Sequence, residues 1–320
     1  MWKTIARRLL IMIPQIFVLS ILLFILAKFM PGDALTGQID PKVSPERLEE
    51  LRVKLGFYDP WPLQYQRWLK NAIKGDFGIS YKYKIPVTQL IGQRAVNTFW
   101  LSLSTTVMLY LLAVPLGIIS GRRHGTRLDN GITLYTYIAL AVPTLVFGLL
   151  NIYIFAYKAR WFPSGGSVNV EITTGTLKYY LDKLYHLLLP SMTVALVSTT
   201  GIVQYLRSEI INYSNADFVL TARSKGVPEN KIYSKHILRN SLMPIASGFG
   251  YTITGLLGGM LFTERIFGYP GMGYLFLDAV LTRDYSVVNA LVLLNAVLLI
   301  LGGLISDIII TIVDPRIRIK

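Results

Sequence analysis

The chain contains no cysteine. Disulfides, thiolate metal centres and cysteine nucleophiles are therefore excluded. Histidine is nearly as scarce: His124, His186 and His236 fall in separate segments at no metal-ligand spacing. No GxxxxGK[ST] stretch occurs, so the chain lacks the loop that cradles nucleotide phosphates and should neither bind nor hydrolyse ATP by itself. Asp76-Phe77-Gly78 spells a kinase metal-binding motif. No Gly-rich phosphate loop or catalytic-loop motif accompanies it, and it reads as coincidence. Charged residues make up only 16% of the 320, and acidic ones are few, 18 against 32 lysines and arginines.

Apolar residues fill the gap. They form 52% of the chain and raise its mean hydropathy to +0.48, the profile of a polytopic membrane protein. The net charge of +14 could suggest nucleic acid. Its basic residues instead gather beside apolar runs, so loop topology explains them better and no nucleic-acid partner is expected. An all-α polytopic fold follows. Lys3, Arg7 and Arg8 precede a first run, Leu9–Ala27, too long for a signal sequence and without a small-x-small cleavage site. Lys28 can snorkel at its outer end. Five more runs lie near Asn97–Ile119, Ile132–Ala156, Leu187–Leu206, Ile245–Thr263 and Ser286–Ile310, each long enough to cross a core of ~30 Å. Pro115, Pro143 and Pro190 lie within or beside spans, where kinks are tolerable if neighbours satisfy the freed carbonyls. Gly255 and Gly259 form a GxxxG in the fifth, a spacing that allows close helix contact within the chain or with a partner.

The charges set an orientation. Lysine and arginine number fifteen in the N-terminus, Ser120–Gly131, Arg207–Pro244 and the C-terminal tail; they number six in Tyr157–His186 and Glu264–Tyr285. The richer side faces the cytoplasm, so both termini are expected inside. The large polar region Pro31–Arg94 then lies outside. It carries a helix starting at Ser44, Pro45 and Glu46, with Leu48, Leu51 and Leu55 on one stripe. A second amphipathic helix, Pro62–Lys74, bears Tyr65, Trp68, Leu69 and Ile73; both helices are expected on the outer rim of the bundle. The division expected is 1–96, the first span plus this insert, and 97–320, a five-helix core.

Within that core one polar stretch stands out, Ser214–Pro244. Ser214 and Asp217 have the spacing of a capping box. Gly226 offers a left-handed helix stop, Pro228 suits the first turn of a second helix, and Pro244 should end it. A short helix, a turn and a second helix are expected outside the lipid.

This stretch resembles the EAA loop of ATP-binding-cassette importer permeases, in the version carried by oligopeptide and dipeptide permeases. The matching residues are Asp217, Phe218, Thr221, Ala222, Arg223, Lys225 and Gly226, then Arg239, Asn240, Leu242 and Pro244. Leu220-Thr221-Ala222 stands where other importers carry Glu-Ala-Ala, and the Gly-to-Pro interval is longer; both departures are typical of the peptide branch. Further landmarks resemble the B-type subunit of that branch. They are PGD at Pro31–Asp33, LGFYDPWPLQY at Leu55–Tyr65, GDFGIS at Gly75–Ser80, RWFPSGG at Arg160–Gly166, ERIFGYPGMG at Glu264–Gly273, RDY at Arg283–Tyr285 and DPRIR at Asp314–Arg318.

The resemblance implies six transmembrane helices in the type I importer arrangement, with an extracytoplasmic helical insert between the first two. It implies a multi-pass permease in the bacterial cell membrane, surrounded by lipid. Its partners would be a second homologous permease, two ATPase subunits that carry ATP and Mg, and an extracytoplasmic peptide-binding protein; no cofactor belongs to this chain. It assigns ATPase coupling to Ala216, Asp217, Phe218, Thr221, Ala222, Arg223, Lys225 and Gly226. Phe218 and Ala222, at i and i+4, would share the contact face, and small surfaces at Ala222 and Gly226 would let the ATPase approach. Arg223 and Lys225 would pair with acidic groups or enforce orientation.

Oligopeptides are the expected cargo; dipeptides and nickel chelates belong to the same family. Two other classes leave no trace. A self-sufficient secondary transporter would show internal repeats and midplane ionisable groups, and an intramembrane enzyme needs a catalytic constellation within the spans. Asp307, near the cytoplasmic end of the sixth span, is expected to be solvated or paired. GYPGMG is expected to make turns and close packing, with a gating role as the sharper reading.

Overall fold

A computed structural model describes residues 2–29, 45–54, 56 and 58–313. The landmarks at 31–33 and 314–318, the helix start at Ser44 and the side chains of Leu48, Leu51 and Leu55 lie outside what is described. Among the described residues the regular elements are helical, apart from one antiparallel bridge between Ile79 and Pro86. In chain order they are α1 (Trp2–Phe29), α2 (Pro45–Lys54), α3 (Trp61–Ile73), α4 (Val87–Arg122), α5 (Arg127–Ala141), α6 (Thr144–Asn151) and α7 (Leu177–Ser214). Then come α8 (Asp217–Ser224), α9 (Glu229–Ile232), α10 (Arg239–Gly255), α11 (Leu261–Ile266), α12 (Met272–Thr282) and α13 (Tyr285–Val313). Wider π-turns continue α6 through Ile152–Lys158 and join α9 to α10 through Tyr233–Leu238.

Length and composition qualify α4, α7 and α13 to cross a membrane, or four spans if α5 and α6 count as one bent pair. The runs expected at 9–27, 97–119, 187–206 and 286–310 each fall inside one helix. The other two do not. Ile132–Ala156 is broken at Val142–Pro143, where the axis turns by 99°. Val142 is extended (ψ 118°) because a following proline disfavours helical backbone, and Pro143 then opens α6. Ile245–Thr263 is likewise broken: α10 ends at Gly255, and α11 starts only at Leu261.

The Gly255–Gly259 spacing gives one close approach within the chain. Gly255 closes α10 with open space at its Cβ position, whereas a Cβ at Gly259 (φ +84°) would fall 2.8 Å from the Gly273 amide nitrogen at the start of α12. A second pair, which the sequence reading did not single out, is Gly117 and Gly121 of α4. A Cβ at Gly117 would lie 3.0 Å from Leu206 Cβ, and one at Gly121 would lie 2.8 Å from Ile210 Cβ. Gly250 does the same between α10 and α13, its Cβ position being 2.1 Å from the Ser306 amide nitrogen. Spacing alone cannot separate these pairs, because the partner surface decides which glycines are needed.

Helix α7 is the hub. Ser104 of α4 bonds Ser191 at 2.6 Å, Tyr135 of α5 bonds Thr199 at 2.9 Å, and Asn151 of α6 donates to Thr193 at 3.2 Å. Side-chain hydrogen bonds of this kind suit a bundle with no hydrophobic drive between its helices. At the periphery, α1 meets α13 through Arg8 and Asp307, whose Nε–Oδ2 distance is 3.0 Å, so Asp307 is paired. Amphipathic α3 lies against α1, with Tyr65 Oη 2.7 Å from Ser20 Oγ and its ring 5.5 Å from that of Phe24. Lys28 of α1 donates to Gln64 of α3.

Candidate functional site

Between α7 and α10 the chain folds as the sequence suggests in outline, but with different capping. Ser214 closes α7 and donates to the Ile210 carbonyl at 2.6 Å. Ala216 is the N-cap of α8 and offers no side-chain cap, so the Ser214–Asp217 capping box is not formed. A serine inside a helix finds its own i−4 carbonyl nearer than an amide in the next element. Gly226 does take the left-handed conformation, φ +70°, and Pro228 caps α9. Pro244 does not stop the second helix; it lies inside α10. Proline is tolerated there as membrane helices allow, beside the wide π-turns and the Asn240 and Ser241 side chains, which return to the carbonyls of His236 and Ile237 at 2.6 and 3.0 Å.

The loop is mounted firmly. Val219 and Ala222 of α8, Ile232 of α9 and Ile237 pack on Leu206 and Ile210 of α7, all buried. Val114 and Ile118 of α4 flank this cluster, and Gly117 and Gly121 seat the same Leu206 and Ile210 from the other side. The loop is therefore packed as one unit with α4 and α7. At 36 and 38 residues these two helices run to about 54 and 57 Å, beyond a hydrocarbon core of ~30 Å.

Polar ties complete the mount. Arg122 donates to Asn230 at 2.9 Å and stacks 4.9 Å from the centre of the Tyr233 ring. Beneath them the buried Asp129 carboxylate receives Arg207 Nε at 2.6 Å and Nη2 at 2.9 Å, Ser120 Oγ at 2.5 Å and the Gly125 amide at 2.9 Å. This knot holds α4, α5 and α7 together. Sequence reading passed over it, because an aspartate in a helix's first turn looks like an ordinary cap.

The eight residues assigned to coupling divide by exposure. Asp217, Phe218, Thr221, Arg223, Lys225 and Gly226 are exposed, Phe218 by 40%, and Leu220 beside them by 52%. Ala216 is half-buried. Ala222 is only 7% exposed and turns into the chain's own cluster. Phe218 and Ala222 lie one turn apart on α8, but only Phe218 keeps its side chain exposed. Phe218 leans on Tyr213, ring centroids 6.0 Å apart. Arg223 is paired within the loop: its Nε lies 2.7 Å from Glu229 Oε1, and that hydrogen bond holds the Glu229 carboxyl below its ordinary range. Two exposed residues of α8 are apolar, Phe218 and Leu220, and at i and i+2 they project from opposite sides of the helix.

Opposite this end, two further polar centres hold the loops between α11 and α13. Glu264 is fully buried and accepts from Thr98 Oγ1 at 2.9 Å and from the amides of Met260 and Tyr274 at 3.1 and 2.8 Å. Gly271 lets this happen, since a Cβ there would fall 2.4 Å from the Glu264 carboxyl carbon. The Gly268–Gly273 stretch is thus a tight turn clamped on α4. Nearby, Lys82 and Tyr83 bond Asp278 at 2.6 and 3.0 Å, and Ser80 bonds Asp284 at 2.6 Å. These bonds fasten the Ile79–Pro86 turn to α12 and α13. Asp76, the first residue of the DFG trio, merely accepts the Gly78 amide at 2.9 Å.

Comparison with known proteins joins these features. A family described as "Binding-protein-dependent transport system inner membrane component" matches residues 113–319, and the corresponding N-terminal family matches residues 1–103. The chain belongs to this family. It is 41% identical over 315 residues to the oligopeptide transport system permease protein AppB of Bacillus subtilis, covering 98% of each chain. It is 31% identical over 323 residues to the glutathione transport system permease protein GsiC of Escherichia coli, covering all of both. Among solved structures, the MetNI methionine ABC transporter in an inward-facing form aligns with a TM-score of 0.53, over 71% of this chain and 97% of that one. At 14% identity this likeness concerns the fold alone. Members of the family are membrane permease subunits of ATP-binding-cassette importers and are not catalytic; ATP hydrolysis lies in partner subunits, and a second permease is implied. The EAA loop belongs to this family.

Proposed function

We propose that this chain is the B-type permease subunit of an ATP-driven oligopeptide importer. One observation carries the cargo: identity of 41% over almost the full length with a permease whose name specifies oligopeptides, against 31% with one that specifies glutathione. The complex would hold a second homologous permease, two ATPase subunits bearing ATP and Mg, and an extracytoplasmic peptide-binding protein. Six crossings, by α1, α4, the bent α5–α6 pair, α7, α10 and α13, put both termini in the cytoplasm, in accord with the lysine and arginine imbalance. Residues 1–96 then form the first span and the outer insert, and 97–320 the five-helix core.

Coupling runs through α8. Phe218 inserts into a groove on an ATPase subunit, while Asp217, Thr221, Arg223 and Lys225 fix the register around it. Ala216 and Gly226 shape the two ends of α8, and Ala222 anchors it to α7. Closure of the ATPase dimer on ATP moves α8, and α4 and α7 rock with it. The pathway opens outward to receive a peptide, and hydrolysis resets it. The test is reconstitution of the purified complex in liposomes with its binding protein. ATP-dependent accumulation of labelled peptide is expected, together with retention of both ATPase subunits. Uptake without ATP, or retention by the binding protein of metal chelates and no peptide, would overturn this reading.

A further inference from the structure

A cavity of about 450 Å³ opens between α6 and α7. Phe147, Asn151 and Phe155 line one wall, and Leu189, Met192, Thr193 and Leu196 the other; Trp161 and Phe162 roof it. Its position follows from the local backbone. Pro143 breaks the α5–α6 pair, and the π-turns over Ile152–Lys158 widen the helix at Phe155. Broken and widened helices are tolerated at membrane depth where they line a cavity, and π-turns recur at functional sites. The roof belongs to the Arg160–Gly166 loop, which the Gly166 amide ties to the tight turn before α12 by donating to the Phe267 carbonyl at 2.9 Å.

Two features separate this cavity from a slot for lipid. Its lining is almost wholly apolar but holds one polar pair, for Asn151 Nδ2 donates to Thr193 Oγ1 at 3.2 Å, and both residues are buried. Among the described residues nothing donates to Asn151 Oδ1, and Asn151 lines the cavity. An acyl chain ending there would leave that oxygen unsatisfied, whereas a peptide N–H would satisfy it. The size is also that of a ligand pocket with aromatic walls and few polar groups. We infer that this cavity is a subsite of the translocation pathway that receives an apolar or aromatic side chain of the passing peptide, with Asn151 accepting a backbone N–H. The inference rests on the peptide-import reading above. Met192 and Phe155 set the size of the side chain admitted.

The test uses the reconstituted complex and two peptides that its binding protein retains equally, tri-alanine and Ala-Phe-Ala. Met192→Trp fills the cavity. Loss of the buried phenyl contact should lower the ratio of Ala-Phe-Ala to tri-alanine uptake by about tenfold. Phe155→Ala enlarges the cavity and should shift preference from Ala-Phe-Ala toward Ala-Trp-Ala. A peptide carrying photoreactive p-benzoylphenylalanine should cross-link to α6 or α7 in the unaltered complex, a measurement that needs no variant to assemble. Unchanged uptake ratios without a cross-link would overturn the inference, as would a co-purifying phospholipid lost in Met192→Trp while the peptide ratio stays constant. If the unaltered complex imports neither peptide with ATP, the peptide reading itself fails; ATP-driven tri-alanine uptake with unchanged ratios sinks the subsite alone.

Discussion

Three residues of α8 and its turn carry different physical burdens, and mutation should separate them. Phe218 spends its ring on the exposed surface, so Phe218→Ala should leave the permease folded and weaken ATPase retention, by about tenfold for one interface aromatic. Ala222 faces Leu206 and Ile210. Ala222→Asp would push a carboxylate among aliphatic chains, and an uncompensated buried charge costs about 3–5 kcal/mol. The loop itself should then come apart, seen as new protease cleavage between α7 and α10. Gly226 is a third case. A Cβ there meets nothing within 4 Å, so the difficulty is purely torsional at φ +70°. Left-handed backbone costs an ordinary residue about 1–2 kcal/mol, and asparagine bears it best. Gly226→Asn should retain transport where Gly226→Val loses it. Equal loss in both would mean the turn's space, not its torsion, is what matters. The Arg223–Glu229 pair is exposed and screened, and stability should depend on it only slightly. That slight effect is one-sided in pH: the lowered Glu229 pKa gives a contribution present above the ordinary carboxylate range and lost as pH falls through the folded value.

At the level of elements, transmission depends on how tightly α4 grips α7. Gly117 and Gly121 are one turn apart on one face, and Leu206 and Ile210 sit over them. Placing a side chain at Gly121 would meet Ile210 Cβ at 2.8 Å and the Arg207 carbonyl at 3.2 Å, so the helices must separate. Overpacking of this kind costs about 1–3 kcal/mol, and the Asp129–Arg207 knot alongside would be stretched. Gly121→Val should therefore uncouple the machine: ATPase subunits stay bound to the intact α8 surface, and hydrolysis continues, while peptide uptake falls. Parallel measurement of ATP turnover and uptake checks this. Uptake and hydrolysis falling in proportion would show that rigidity between α4 and α7 is not what transmits the motion.

For the whole molecule, orientation is the quantity to measure. The absence of cysteine makes the chain ready for labelling. Gln66 on α3 and Lys231 on α9 are both exposed, one in the outer insert and one in the loop. In intact cells an impermeant maleimide should reach Gln66→Cys and spare Lys231→Cys until the cells are opened. Labelling of Lys231→Cys alone would invert the topology and move the docking surface to the wrong side of the membrane for an ATPase. The polar centres then fall on opposite sides of the bilayer. Asp129–Arg207 lies on the cytoplasmic side, and Glu264 with the Lys82–Asp278 tie lies outside.

Composition, apolar runs and charge asymmetry read directly from the sequence, because burial in lipid and charge placement act residue by residue. The loop's outline was legible for the same reason: Gly226 must be where the backbone turns left-handed, and Pro228 where a helix begins. Breaks and contacts were not. Pro143 ends a helix whereas Pro244 lies inside one, and the same residue type gives both outcomes according to the neighbours that receive the freed backbone groups. Gly117 and Gly121 serve a close crossing whereas Gly255 faces open space, although both sets share one spacing. Ala222 turned inward rather than toward a partner, because the loop needs its own core before it can act as a rigid knob. Glu264 and Asp129 gained their roles only when distant amides and cations converged on them. Local preferences are properties of a residue and its neighbours in sequence; partner surfaces exist only after the helices have packed.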